Sequence, residues 1–350
     1  MVDGMLTFDI SMPLVLLGVT LAALLLSKRV EPKLKVTFED REFKSRDAVL
    51  FVVLIAVAVS VVVFVPAMAL VAVFLFSYCA LLFTFSFLFF SKLTQRKAQM
   101  FFLGIALAAL ATGTVALLNV YGNIAMMFYG GLAALGLAAF SFVAILYEQL
   151  KADAKSRLHL ALFPPLLFLI VFFLFMYDPV PLLSLVLVDT IGALFAVLIT
   201  LYLTSLFTWK VTFLFATLLT AMDTVLVLVT GFMVQAATHV AGLGLPVLIQ
   251  LPLLPPVVIA GALQYISLGL GDFFFAGTLA TQTYKKFDKK TGIISAVAMT
   301  LSFGISEAIL LSANFGPFPG TVMIIIGWLP VVAWKIVVER KTKSKAKVES

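Results

Sequence analysis

Residues 264–284 read QYISLGLGDFFFAGTLATQTY, and an aspartate, Asp272, stands in the middle of this apolar run. The run is long enough to cross a membrane as a helix. A carboxylate in hydrocarbon costs several kcal/mol, so an acid at such a position marks a functional site by default. Gly269 and Gly271 precede it in Gly269-Leu270-Gly271-Asp272 and remove side-chain bulk. They are expected to let another backbone or helix approach the carboxyl group.

The surrounding chain has the composition of such a run. Of its 350 residues 63% are hydrophobic and 12% charged. So few charges do not cover a soluble domain, which places the chain among all-α polytopic membrane proteins. The net charge of +7 comes from Lys and Arg scattered over short loops and gives no sign of a nucleic-acid partner. The single cysteine, Cys79, lies in an apolar run and reads as a small core residue. The first apolar run, Ile10 to Leu26, ends in Ser27-Lys28-Arg29 without a small-residue cleavage site, so it reads as a retained span.

Taking roughly 20 apolar residues per crossing, eleven candidate spans emerge: 10–27, 47–65, 67–90, 99–118, 123–147, 159–177, 181–207, 211–233, 261–284, 291–312 and 317–337. Pro66, Pro179 and Pro181 mark tight turns between neighbours. The 47–90 stretch reads either as a hairpin of two spans or as one bent, partly re-entrant element. With the N-terminus outside, all 24 Lys and Arg fall on inner loops or the tail. The bias of basic residues toward the cytoplasm therefore supports an odd number of spans, N-terminus out and C-terminus cytoplasmic. Residues 234–260 are apolar but carry Pro246, Pro252, Pro255 and Pro256. A further crossing there would put Lys285, Lys286, Lys289 and Lys290 outside, so the segment is expected to be extended or re-entrant and packed against protein. By region, 1–180 holds the first spans with basic loops, 181–337 the spans that carry the chemistry, and 338–350 a basic tail suited to anionic lipid heads.

Asp189, Asp223, Asp272 and Glu307 lie inside spans, and no Lys or Arg lies deep in any of them. Asp178, before Pro179, ends a span at the outer surface. Asp223 lies 13 residues beyond Lys210, and Asp272 lies 13 residues before Lys285. Both therefore sit about 20 Å from the inner basic edge, on antiparallel helices. Glu307 lies further out, and Asp189 lies near the outer turn. Two carboxyl groups at short range share one proton. The charged member can take a proton from water, which attacks an amide carbonyl, while the protonated member donates to the carbonyl oxygen. Depth alone leaves ion or proton translocation open beside hydrolysis. Asp189 and Glu307 read as structural or supporting hydrogen-bond partners. His159 and His239 have no second ligand at metal spacing, and no metal or organic cofactor is expected.

Gly269–Asp272 followed by FFFAG resembles the GxGD signature of the presenilin and signal peptide peptidase family of intramembrane aspartyl proteases. LLTAMDTVLVLV carries Asp223 where that family has a Tyr-Asp motif, 49 residues before Asp272. Phe232 to Ala236 and Leu245 to Pro252 look like the segment that follows it in signal-peptide-peptidase-like members. Val188-Asp189-Thr190-Ile191-Gly192 resembles a motif of the preceding span. Pro317-Phe318-Pro319-Gly320 opens the last span where the family has Pro-Ala-Leu. The likeness covers roughly the last 170 residues. Met222 stands in place of the usual tyrosine, and Phe318 and Pro319 in place of alanine and leucine.

The resemblance implies a bundle of nine core transmembrane helices, two fewer than the spans counted. It implies catalysis by Asp223 and Asp272, with Gly269, Leu270, Gly271, Pro317, Phe318 and Pro319 shaping the site. The orientation is similar to that of signal peptide peptidases. Implied substrates are single membrane-spanning helices with the N-terminus inside, such as remnant signal peptides, cut within the bilayer of what is expected to be the cell membrane. The stretch Leu251 to Ile259 is a candidate edge for pairing with an unwound substrate. Two alternatives stand beside this: a prepilin or preflagellin peptidase, which also uses GxGD, and a proton- or cation-coupled transporter using the four buried acids.

Overall fold

The computed structural model describes residues 8–38, 42–90, 94–118, 124–150, 158–177, 181–243, 245–259, 262–313 and 315–348. Nine helices among them are long and apolar enough to cross a membrane, the build of an all-α polytopic membrane protein. By its contacts the chain divides into two compact units, Met1–Leu70 with Leu187–Ser350, and Val71–Val186. The grouping expected from sequence placed 1–70 with 71–180. In the structure the first two helices belong with the carboxyl-terminal ones.

The larger unit holds α1 (Ser11–Phe38), α2 (Ser45–Val62), α7 (Pro181–Leu206), α8 (Trp209–Thr224), α9 (Phe232–Ala241), α10 (Leu270–Lys286), α11 (Lys289–Ser312) and α12 (Gly320–Val348). Their starts are chemically marked. Thr208 accepts from the Val211 N–H ahead of α8, and Asp288 accepts from the Thr291 N–H at 2.8 Å ahead of α11. Asp9 takes the Ser11 and Met12 amides ahead of α1. Each satisfies donors that a helix start leaves unpaired.

α10 is the centre of this unit. Its residues from Phe273 to Thr283 are all buried. Buried polar groups need partners, and most here find them, the Thr281 hydroxyl being left without one among the described residues. Thr278 meets the Thr204 hydroxyl at 3.1 Å, Gln282 donates to the Thr204 and Phe207 carbonyls, and Trp328 donates to Thr283. Gly277 permits the close approach of α7, since a Cβ there would lie 2.7 Å from Thr200 Cγ2. Phe207, Phe215, Phe274 and Phe275 fill the space toward α8 with tilted and edge-on rings. At the Lys285 end, Lys285 pairs with Glu31 of α1 at 2.8 Å, and Lys335 of α12 pairs with Asp288 at 2.7 Å.

The smaller unit holds α4 (Gln95–Leu118), α5 (Ile124–Leu150), α6 (Leu158–Tyr177) and most of α3 (Ala67–Phe90). Gly113 and Gly131 bring α4 and α5 together, and Phe102 and Phe163 anchor its apolar core.

Some expectations hold and others change. The 47–90 stretch is two helices broken at Pro66, the first of its two readings and not the bent element. The 261–284 span is not helical throughout: strand β4 (Tyr265–Gly269) occupies its first part, and the helix begins at Leu270. The 159–177 run is helical over Leu158–Tyr177, and Leu160–Phe173 is the apolar part whose side chains are described. Counted over the described residues, these two runs are the ones that do not reach the length of a spanning helix. The 234–260 segment is partly helical, because α9 runs through Ala241. Beyond it lie β1 (Leu248–Pro252) and the short pair β2 (Val258–Ile259) and β3 (Ala262–Leu263). The expected tail from residue 338 continues α12 as helix to Val348. Pro179 and Asp178 lie outside the described residues.

Candidate active site

α8 carries Asp223 almost at its end. The helix then widens into a π-turn, Val225–Val229, and breaks at Gly231. Gly231 has φ +69°, a conformation that favours glycine, and it redirects the chain into α9. Asp272 sits in the first turn of α10, directly after β4. Asp223 and Asp272 line one cavity of about 640 Å³ and interact electrostatically. Among the described residues, Asp223 and Glu307 are the other acids of the lining with Asp272, and the lining holds no Lys, Arg or His.

The start of α12 closes against both aspartates. Thr321 donates its hydroxyl to Asp223 Oδ2 at 2.6 Å. A Cβ on Gly320 would lie 2.6 Å from Asp272 Oδ1, so only a glycine lets the backbone come this near. The expectation that Gly269 and Gly271 supply the close approach is corrected here. A Cβ on Gly269 would stand 3.5 Å from Asp272 Oδ2, an ordinary contact, and one on Gly271 would meet open space. Gly269 contributes a backbone hydrogen bond to Asp272 instead. Leu270 is buried against Gly192 of α7, where its Cδ2 would be 3.6 Å from an added Cβ. Pro317 and Phe318 line the cavity; Pro319 is buried just ahead of α12 and does not.

The hairpin beside the dyad has one open edge. β1 and β4 pair antiparallel, Ile249 opposite Leu268 and Gln250 opposite Ser267. Leu270 N–H donates to the Val247 carbonyl, and Leu253 N–H to the Gln264 carbonyl. Inward-facing groups alternate along an antiparallel ladder. Residues 249 and 251 therefore bond to 268 and 266, while 250, 252, 265, 267 and 269 face outward. The outward side of β1 is taken: Gln250 N–H donates to Asp189 Oδ1 at 2.8 Å, and the Pro252 carbonyl accepts from Ser11. Just beyond, the Leu254 N–H donates to Asp9. The outward side of β4, with Tyr265, Ser267 and Gly269, has no strand partner among the described residues, and Ser267 and Gly269 line the cavity. The candidate pairing edge expected at Leu251 to Ile259 thus lies on the wrong strand where it enters β1, at Leu251 and Pro252.

Asp189 fulfils the expected supporting role. Glu307 is buried in the cavity wall, and its Oε2 has no hydrogen-bond partner among the described residues. Met222 occupies the position before Asp223, and the hydroxyl that reaches Asp223 comes from Thr321. His239 lies on α9 outside the cavity lining. The His159 side chain lies outside what is described. Among the described residues no group of three or more His, Cys, Asp or Glu could hold a metal ion.

Sequence reasoning missed Gly320, Thr321 and Asp9. Asp9 carried a signal, because Asp followed at the second position by Ser just ahead of an apolar run is a helix-start pattern. Thr321 carried none, since its partner is 98 residues away.

No family model matches the chain, and no match was found among the curated proteins or among the solved structures.

Proposed function

We propose that the chain is an intramembrane aspartyl protease of the presenilin and signal peptide peptidase kind. One observation carries the reading: Asp223 and Asp272, far apart in sequence and both on apolar elements, line one cavity and feel each other's charge. Paired carboxyl groups that share a proton are the equipment of aspartic hydrolysis. In that reaction the ionised carboxylate accepts a proton from water, and the water oxygen attacks the scissile carbonyl. The other carboxyl group donates its proton to the carbonyl oxygen. Collapse of the tetrahedral intermediate breaks the C–N bond, and the amine leaves with a proton returned from the dyad.

A helix hides its amides in internal hydrogen bonds, so a substrate must unwind to be cut. The open edge of β4 supplies replacement partners: Tyr265 and Ser267 offer backbone groups on the strand that runs directly into the Asp272 turn. A substrate strand laid on that edge brings a carbonyl to the dyad by main-chain pairing. The proposed substrates are single membrane-spanning helices with the N-terminus inside, consistent with a chain whose C-terminus is cytoplasmic by its basic loops. The proposed setting is the cell membrane, and the bilayer itself is the other partner.

Mimics of the tetrahedral intermediate bind a hydrolase far more tightly than substrate does. An apolar peptide bearing a hydroxyethylene group in place of one amide, fitted with a photoreactive group, tests the reading. Labelling of the wild-type chain that is lost in Asp223→Ala and in Asp272→Ala supports it. Equal labelling of all three contradicts it.

A further inference from the structure

Glu307 is the remaining acid of the cavity. It lies on α11, is 5% exposed, and its Oε2 has no hydrogen-bond partner among the described residues. A buried carboxyl oxygen left unpaired is costly, and such a group in a cavity wall points to a ligand that completes it. Among the described residues its acidic neighbour is Asp9, and the two carboxyl groups repel when both are charged. Asp9 is itself saturated, accepting from Ser11, Met12 and Leu254, so it offers Glu307 nothing. Among the described residues the cavity lining has three acids and no basic residue. Its complement is a cation.

The level of Glu307 can be fixed against the dyad. Gly327 packs on Ala298, and Ser302 donates to the Met323 carbonyl at 2.7 Å. α11 and α12 therefore run antiparallel, with Thr321 level with Gly304. Thr321 holds Asp223, so the dyad lies at that level too. Glu307 is three residues further along α11, on the side of Phe315, or roughly 4–5 Å along the axis. An extended chain advances about 3.3 Å per residue. A substrate strand passing the dyad thus brings its first or second residue beyond the scissile bond level with Glu307.

We propose that Glu307 is a specificity-determining residue that binds a cationic side chain, lysine or arginine, carried by the substrate within three residues of the scissile bond on the side facing Phe315. The assignment rests on the protease reading above and adds to it the chemistry of one subsite. A charge-assisted hydrogen bond to a buried carboxyl group gives such a site about ten-fold discrimination over an apolar side chain.

The test uses the purified full-length chain in lipid vesicles and a set of apolar membrane-spanning peptides. Each peptide carries Leu, Lys, Gln or Glu at one of the three positions on either side of the mapped bond. The quantity read is the kcat/KM ratio of the Lys to the Leu peptide. In the wild type it is expected to reach about ten at one position on one side of the bond only. In Glu307→Gln it is expected to fall to about one, and Glu307→Asp, which keeps the charge on a shorter arm, to retain part of the gain. Unchanged ratios in Glu307→Gln, or Gln peptides preferred as strongly as Lys peptides, overturn the assignment and leave the protease reading standing. Cleavage that survives Asp223→Ala, or no cleavage at all, overturns both, a result distinct from a lost preference.

Discussion

Thr321 donates its hydroxyl to Oδ2 of Asp223 across 2.6 Å, tying the first turn of α12 to the end of α8. Both residues are buried, at 4% and 3% exposure, so water does not compete for the bond. The π-turn that follows Asp223 leaves the end of α8 without a regular helical continuation. A hydrogen bond from outside the helix is then what fixes the carboxylate's rotamer.

Thr321→Val removes the hydroxyl donor at nearly constant volume and leaves the Thr321 amide, which also bonds to Asp223. Hydrogen bonds to charged groups contribute about 1.5–3 kcal/mol, which corresponds to roughly a ten- to hundred-fold loss in kcat. KM is expected to change little, and Thr321→Ser is expected to recover most of the rate. Steady-state kinetics on a membrane-spanning peptide check this. A change in KM alone would mean that Thr321 touches substrate instead.

Gly320→Ala puts a methyl group 2.6 Å from Asp272 Oδ1. Nothing nearby can give without moving the carboxyl group, and misplacing a reacting group by about 1 Å costs on the order of a hundred-fold. Activity is expected to fall that far while the thermal midpoint stays close to wild type. Gly271→Ala, facing open space, is expected to retain activity.

Proline is tolerated in a strand where its missing N–H faces away from the partner. Ser267→Pro therefore leaves the β1–β4 hairpin paired and removes a donor only from the open edge. It is expected to raise KM several-fold without unfolding the chain. Ile266→Pro deletes a donor that faces Leu251 and is expected to disrupt the hairpin, seen as faster amide exchange over 248–252.

Asp288 starts α11 and receives Lys335, and these contacts hold its carboxyl down to about 2, the Lys335 hydrogen bond first and the Thr291 amide next. Because the group is more acidic folded than unfolded, its stabilisation is complete above about pH 4. It fades as pH falls toward 2. The side chain is 44% exposed, so salt weakens the ion pair. Asp288→Ala is expected to cost about 1 kcal/mol at neutral pH, mainly from the lost helix cap. Thermal melts at pH 7 and pH 3 are expected to show the gap between variant and wild type narrowing at the lower pH.

Much of the helical framework was legible from run length and from the prolines, because a crossing needs an unbroken apolar stretch and few sequences supply one by accident. The depth match of Asp223 and Asp272 was legible for the same reason: helix rise is constant, so counting from Lys210 and Lys285 measures height. Strand β4 was not. Residues 265–269 are as apolar as the helix they precede, and a short apolar run does not distinguish strand from buried helix. The extended character expected around Pro252 and Pro255 was real, but which edge stays open depends on Asp189 and Ser11 from elements far away in sequence. The close approach to Asp272 was assigned to the glycines adjacent to it. The backbone that comes near belongs to Gly320, and only the packing of α12 reveals that.

The most direct test of the account is cleavage of a membrane-spanning peptide by the purified chain in lipid vesicles, with product masses read out. Wild type runs beside Asp223→Ala and Asp272→Ala. The account predicts products that end within the apolar segment of the peptide and no products from either variant. Products of the same masses and yield from wild type and both variants would contradict it, as would a wild-type chain that cuts only outside the apolar segment.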